Sequence, residues 1–178
     1  MRIPAAVSLW AICWTDILSE DRTVGEYHIL PWQDSYGEAA ARLEGECFGE
    51  NITAEAFCRF AYAPANHYFC AVGEDGTVLG YGGISLVADE AEIITVAVSP
   101  LCRRQGIARA LMEHMLRLAA DARATVYLEV RASYTPAREL YRTLGFNETG
   151  VRKTYYPSPR EDAVLMMRPH GTEEILSC

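Results

Sequence analysis

Between Ile94 and Ala108 the chain changes character twice, and that junction restricts the fold more than any other segment. An apolar run, Ile94-Thr95-Val96-Ala97-Val98, is closed by Ser99-Pro100, and a short basic turn follows at Arg103-Arg104-Gln105. From there to Ala120 the spacing of Ile107, Leu111, Met115 and Leu118 predicts an amphipathic helix. The first N–H groups of such a helix have no intrahelical acceptor and point outward with a partial positive charge. Gly106 and Ala108 keep side chains out of the way, so a phosphate can approach the backbone, with Arg103, Arg104 and Arg109 adding formal charge. No Gly-Lys-Ser/Thr follows, so the turn is not a P-loop. On the turn alone, a helix start decorated with solvated arginines reads equally well.

The flanking segments predict a single mixed α/β domain. Tyr27 to Leu30 reads as a strand, Asp34 to Phe48 as a helix, and Thr53 as the cap of a short helix burying Phe57 and Phe60. His67 to Val72, Val78 to Val87 and Ala91 to Val98 read as three strands, the first two joined at Glu74-Asp75-Gly76. The glycines of Gly80-Tyr81-Gly82-Gly83 read as sites of close backbone packing within a strand. After the central helix come a strand from Thr125 to Val130 and a helix opened by Thr135-Pro136 and ended by Gly145. Two strands, near Asn147 to Tyr155 and Ala163 to Met167, close the order around a Pro-rich turn. At 178 residues one domain is expected over 26–170, with an N-terminal extension over 1–25 and a tail over 171–178. The extension is mostly apolar and carries Trp10 and Trp14, but its single early base and the lack of a small-residue cleavage site argue against a signal peptide.

Charge narrows the partners. The 24 acids outnumber the 16 bases, for a net −8, which disfavours a nucleic-acid binder. Residues 1–100 hold 15 acids and 4 bases, whereas 101–178 hold 9 acids and 12 bases, so an anionic ligand finds its partners in the second half. No apolar run reaches the roughly 20 residues of a membrane span. The six cysteines lie far apart with no CxxC pair, and the four histidines are scattered, so no metal is expected and a reduced, cytoplasmic protein is.

Arg103-x-x-Gly106-x-Ala108, between a strand and a helix, resembles the signature of the GNAT acetyltransferase superfamily, Arg/Gln-x-x-Gly-x-Gly/Ala. Further on, Leu128-Glu129-Val130-Arg131-Ala132-Ser133 and Leu140-Tyr141-Arg142-Thr143-Leu144-Gly145-Phe146 resemble one subgroup, the ribosomal protein alanine N-acetyltransferases. Tyr155-Tyr156-Pro157 and Glu161-Asp162-Ala163 are similar to that subgroup too. The resemblance implies a GNAT-type α/β domain with a mixed, mostly antiparallel central sheet flanked by helices. It implies acetyl-CoA as co-substrate. Val96, Ala97 and Val98 would pair with its pantetheine arm, and the turn of Arg103, Arg104, Gln105, Gly106, Ile107, Ala108 and Arg109 would hold its pyrophosphate. It also implies Glu129 as general base and Tyr141 as general acid. The implied acceptor is the α-amine of a protein N-terminus, an N-terminal alanine of a small-subunit ribosomal protein, attacked directly in a ternary complex.

The residues agree with those roles. An α-amine with a pKa near 8 must lose a proton before it attacks a thioester, and a carboxylate can take it. Glu129 is a charge inside a Val/Leu strand, where glutamate is otherwise disfavoured; apart from a base it reads as an exposed edge-strand residue or an ion-pair partner in the neighbourhood of Arg131. Tyr141 keeps its proton at neutral pH, although on spacing alone it reads as a core tyrosine. Two departures stand out: Tyr134 replaces the subgroup's usual asparagine and offers a phenol to the cofactor, and Phe-Pro-Trp is replaced by Cys47-Phe48-Gly49-Glu50-Asn51. A lysine or polyamine acceptor, and a non-catalytic acyl-CoA-binding module, are the competing expectations. No direct nucleic-acid or membrane contact is expected, and the protein is expected to be a monomer or weak dimer.

Overall fold

The computed structural model describes residues 26–49 and 52–171. The expectation for 1–25 and nearly all of the proposed tail therefore lie outside the described residues. Seven strands form one sheet: β1 (Tyr27–Pro31), β2 (Asn66–Gly73), β3 (Val78–Val87), β4 (Glu90–Val98), β5 (Thr125–Arg131), β6 (Asn147–Pro157) and β7 (Arg160–Arg168). Their order is β1-β2-β3-β4-β5-β7-β6. Every neighbouring pair is antiparallel except β4 and β5, which run parallel. Four helices flank the sheet: α1 (Gly37–Phe48), α2 (Ala54–Ala61), α3 (Ile107–Asp121) and α4 (Thr135–Thr143).

Each face of the sheet carries its own core. On one, Ala40, Leu43 and Cys47 of α1 and Phe57 of α2 pack on Tyr68, Cys70, Tyr81 and Ala97. On the other, Ile107, Leu111, Met112 and Met115 of α3 and Ala137 and Tyr141 of α4 pack on Ile93, Val96, Val126, Leu128 and Val130. Residues 126, 128 and 130 face α3 and α4, so the alternation of a strand turns Tyr127, Glu129 and Arg131 toward the other face. Phe60 departs from expectation. Phe57 is buried, stacked on Trp32 at 4.9 Å and edge-on to Tyr81 at 5.0 Å, whereas Phe60 lies on the exposed side of the same two-turn helix.

The glycines of β3 do what their spacing suggested. A Cβ on Gly80 would stand 2.6 Å from the Ala97 carbonyl oxygen, and one on Gly83 would overlap the Tyr68 ring. The described cysteines, Cys47, Cys58, Cys70 and Cys102, are free thiols, and burial pushes the Cys70 thiol up to about 12. No helix among the described residues is long and apolar enough to cross a membrane. None of those residues forms a group of three or more His, Cys, Asp and Glu able to hold a metal ion.

Candidate active site

The site begins with a parting of strands. β4 and β5 pair only from Glu90 to Glu92 and from Thr125 to Tyr127. Beyond that seam β4 continues to Val98 and β5 to Arg131 with no further pairing between them. The cause lies on the other side of β4. Its register with β3 skips Ile94, a bulge that bends the strand. A wedge opens between β4 and β5, and the β4 edge from Ile93 to Val98 faces it.

At the wide end lies a cleft of about 370 Å³. Val96 and Val98 line it from β4, Arg103, Arg104, Gly106, Ile107, Ala108 and Arg109 from the turn and first turn of α3, and Pro136, Glu139, Leu140 and Thr143 from α4. The helix starts two residues later than the spacing predicted, at Ile107. Its first amide-to-carbonyl bond runs from Ala110 to Gly106, and no side chain caps the turn. The amides of Ile107, Ala108 and Arg109 therefore precede the helical ladder at the cleft. Gly106 holds φ at +81°, a left-handed conformation that favours glycine for its backbone rather than for space, since a Cβ would meet only the Tyr27 hydroxyl, at 3.9 Å. Arg109 reaches across the cleft, donating to the Thr143 hydroxyl at 2.7 Å.

Eight of the eleven residues expected to contact a cofactor thus share one cleft. The other three do not line it. Ala97 is buried on the opposite face against the α1–α2 core, Gln105 lies in the turn, and Tyr134 caps α4 with its ring against the edge of the α3–α4 core. The α4 wall escaped the sequence reading, although Pro136, Leu140 and Thr143 recur at helical spacing.

Tyr141 is fixed by the end of its own helix. Gly145, at φ +87°, donates to Arg142, and Phe146 donates back to the Tyr141 carbonyl at 3.1 Å. This is a Schellman cap, and it explains the Leu-Gly-Phe segment: the αL glycine ends the helix and turns Phe146 onto Tyr141, ring centroids 5.8 Å apart. The buried Arg168 satisfies a further carbonyl, that of Leu144, at 2.9 Å. Tyr141 is fully buried. Burial, and then the neighbouring Tyr156, push its hydroxyl well above the ordinary phenol range.

Glu129 lies on an interior strand, not at a sheet edge, and its side chain is nearly enclosed. Its ion-pair partner is Arg152 of β6, at 2.6 Å. Arg131 has a separate task. Its guanidinium lies 4.1 Å above the Tyr156 ring and donates to the carbonyls of Ser158 and Pro159 and to Glu161. Burial pushes the Glu161 carboxyl up, but the Ser133 amide and Arg131 outweigh it and hold the group below its usual range. Tyr156 is buried, and burial together with the charge of Glu129 raises its hydroxyl well above normal. Glu129 therefore sits on one face of the sheet and Tyr141 on the other, with the wedge opening beside them and Tyr156 electrostatically close to both. The sequence marks Tyr156 only as part of Tyr155-Tyr156-Pro157, and nothing in it points to Arg152.

Comparison with known proteins fits this architecture. Residues 16–146 match the acetyltransferase (GNAT) family. The chain belongs to that family. Over 99 residues it is 43% identical to the [ribosomal protein bS18]-alanine N-acetyltransferase of Escherichia coli K12, covering 54% of this chain and 67% of the relative. Over 140 residues it is 36% identical to the N-alpha-acetyltransferase RimI of Mycobacterium tuberculosis, covering 75% and 87%. The crystal structure of the ribosomal-protein-S18-alanine N-acetyltransferase from Escherichia coli superposes with a TM-score of 0.74 at 32% identity, covering 81% of this chain and 94% of that one. The GNAT fold, with its mixed, mostly antiparallel sheet, is the one expected from the motifs.

Proposed function

We propose that this GNAT enzyme transfers acetyl from acetyl-CoA to the α-amine of a protein N-terminus, an N-terminal alanine of a small-subunit ribosomal protein, in the cytoplasm. The observation that carries the reading is the wedge between β4 and β5, with a carboxylate on one face of the sheet and a proton-bearing phenol on the other. The names and identities of the relatives supply the acceptor class.

The residues fit a long, phosphate-bearing thioester. The amides of Ile107 to Arg109 and the guanidinium groups of Arg103, Arg104 and Arg109 would hold its phosphates. The bent edge of β4 from Ile93 to Val98 offers backbone groups to an extended arm, as a sheet edge does to an added strand. When bound, acetyl-CoA supplies an activated acetyl group on sulfur. Glu129 removes a proton from the acceptor's ammonium, leaving the nitrogen a nucleophile. Tyr141, held protonated by burial, would give its hydroxyl proton to the sulfur as the carbon–nitrogen bond forms and the carbon–sulfur bond breaks, and the second proton shed by the nitrogen would restore the phenol. No cysteine acts as a covalent carrier in this scheme, so kinetics should require both substrates bound together.

Mass spectrometry of N-terminal peptides from cells with and without the protein tests the reading. Loss of acetylation on one alanine-initiated ribosomal protein is expected. Unchanged N-termini, with acetylation lost from lysine side chains instead, would reassign the acceptor.

A further inference from the structure

Strand register places Arg131, Ala163 and Arg152 in one row across β5, β7 and β6, and Glu129, Leu165 and Gly150 in the next. Both rows share a face, so an arginine on the edge strand can reach over β7 to a carboxylate on β5. Arg152 does so, its Nη1 lying 2.6 Å from Glu129 Oε1. The guanidinium also lies over the Tyr155 ring, 4.9 Å from its centroid. Exposure within the pair is unequal: the Glu129 side chain is 11% exposed and that of Arg152 47%. The arginine stands on the solvent side of the carboxylate.

The chain after Arg152 is shaped to keep it there. Pairing with β7 breaks at Arg152 and resumes at Tyr156. Within the break Thr154 holds φ at 54°, a conformation that β-branched residues rarely adopt. Asp162 pins this bulge twice, accepting from the Thr154 amide and from Lys153 Nζ, each at 2.8 Å. Bulges of this kind re-aim side chains beside functional sites.

A carboxylate this sheltered is costly to leave without a counter-ion. An α-amine at neutral pH arrives as an ammonium, carrying the charge that Arg152 already supplies. Two cations cannot hold Oε1 in the same place. We propose that Arg152 is a displaceable counter-ion occupying the acceptor ammonium's seat on Glu129, so that acceptor binding exchanges one cation for another. The proposal rests on the reading of Glu129 as the group that receives the acceptor amine. The exchange keeps Glu129 paired throughout and favours a charged amino terminus over a neutral one, which cannot replace a guanidinium. Arg152 is thereby a positioning residue that sets acceptor selectivity through Glu129.

Calorimetric binding of an alanine-initiated peptide to the full chain, with coenzyme A present, tests this without any chemical step. Arg152→Gln keeps a donor for Glu129 but removes the competing charge, and a melting curve checks that it is folded. Its affinity for the free-amine peptide should rise about fivefold, the scale of a half-exposed ion pair. The same peptide bearing an N-acetyl group should show no gain. Arg152→Lys should return to wild-type affinity, and added guanidinium should reverse the gain in Arg152→Gln. An affinity that is unchanged or lower in Arg152→Gln, or an equal gain for the acetylated peptide, overturns the proposal. Undiminished turnover in Glu129→Gln would overturn the base assignment instead, leaving the binding result to be judged separately.

Discussion

Along the β4–α3 wall of the wedge, Arg103, Arg104 and the residues from Gly106 to Arg109 present backbone amides and arginines to the cleft. Along the opposite wall, Glu129 meets Arg152, and Tyr156 stands close by, both brought from an edge strand two places away in the sheet. The first wall is made of main-chain geometry and is vulnerable to whatever changes a dihedral angle. The second is made of side-chain charges and protons, and is vulnerable to the replacement of a single atom.

The sharpest contrast should come from isosteric changes at the two groups proposed to move protons, Glu129 on the second wall and Tyr141 on α4. Glu129→Gln is expected to lower kcat at neutral pH by on the order of a hundred- to ten-thousand-fold, with partial recovery at high pH as the amine deprotonates unaided. Tyr141→Phe should also lower kcat, with little change in acetyl-CoA affinity, and the loss should shrink for an acyl donor with a better leaving thiol. Steady-state rates across pH and donor series measure both. Wild-type rates in either folded variant would return that residue to a structural role.

On the backbone wall the expected loss is in binding. Gly106→Val places a β-branched residue at φ +81° and should cost about 1–3 kcal/mol of stability. Its acetyl-CoA affinity should fall by about tenfold or more, the worth of one charge-assisted hydrogen bond, as calorimetry would show. Unaltered affinity in a folded Gly106→Val protein would break the distinction between the two walls.

The smallest effect concerns the turn that Arg131 holds. Glu161 is held below its usual range in the fold, so its contribution is present above the unfolded value near 4.5 and is lost as pH falls through the folded one. Glu161→Gln should therefore melt below wild type at pH 7, with the gap closing under acidic conditions. A gap independent of pH would mean the residue contributes through packing alone.

How far each wall was legible in the sequence follows from the same contrast. The β4–α3 junction could be read because its chemistry is local: an apolar run, a proline, arginines, a glycine and a helical stripe, all contiguous. Tyr141 is a different case. Its spacing fits a core position, and the structure does bury it there, so only the resemblance of its surrounding motif marked it for chemistry. Arg152 left no local sign. Its reach to Glu129 depends on the register of three strands and on a bulge at Thr154, a residue whose type does not predict a positive φ. Phe60 lies outside because an eight-residue helix can bury one aromatic row, and the Trp32–Phe57–Tyr81 cluster claims it.

The short seam between β4 and β5 has a mechanical consequence. The sheet consists of a four-strand plate and a three-strand plate joined along a few residues, so a molecule lying in the gap acts as a splint. A ligand that binds only the folded form adds cohesion in proportion to the logarithm of its concentration, about 2.7 kcal/mol at a hundredfold excess over its Kd. Resistance to unfolding and to proteolysis should therefore track the supply of the acetyl donor, with idle copies opening first.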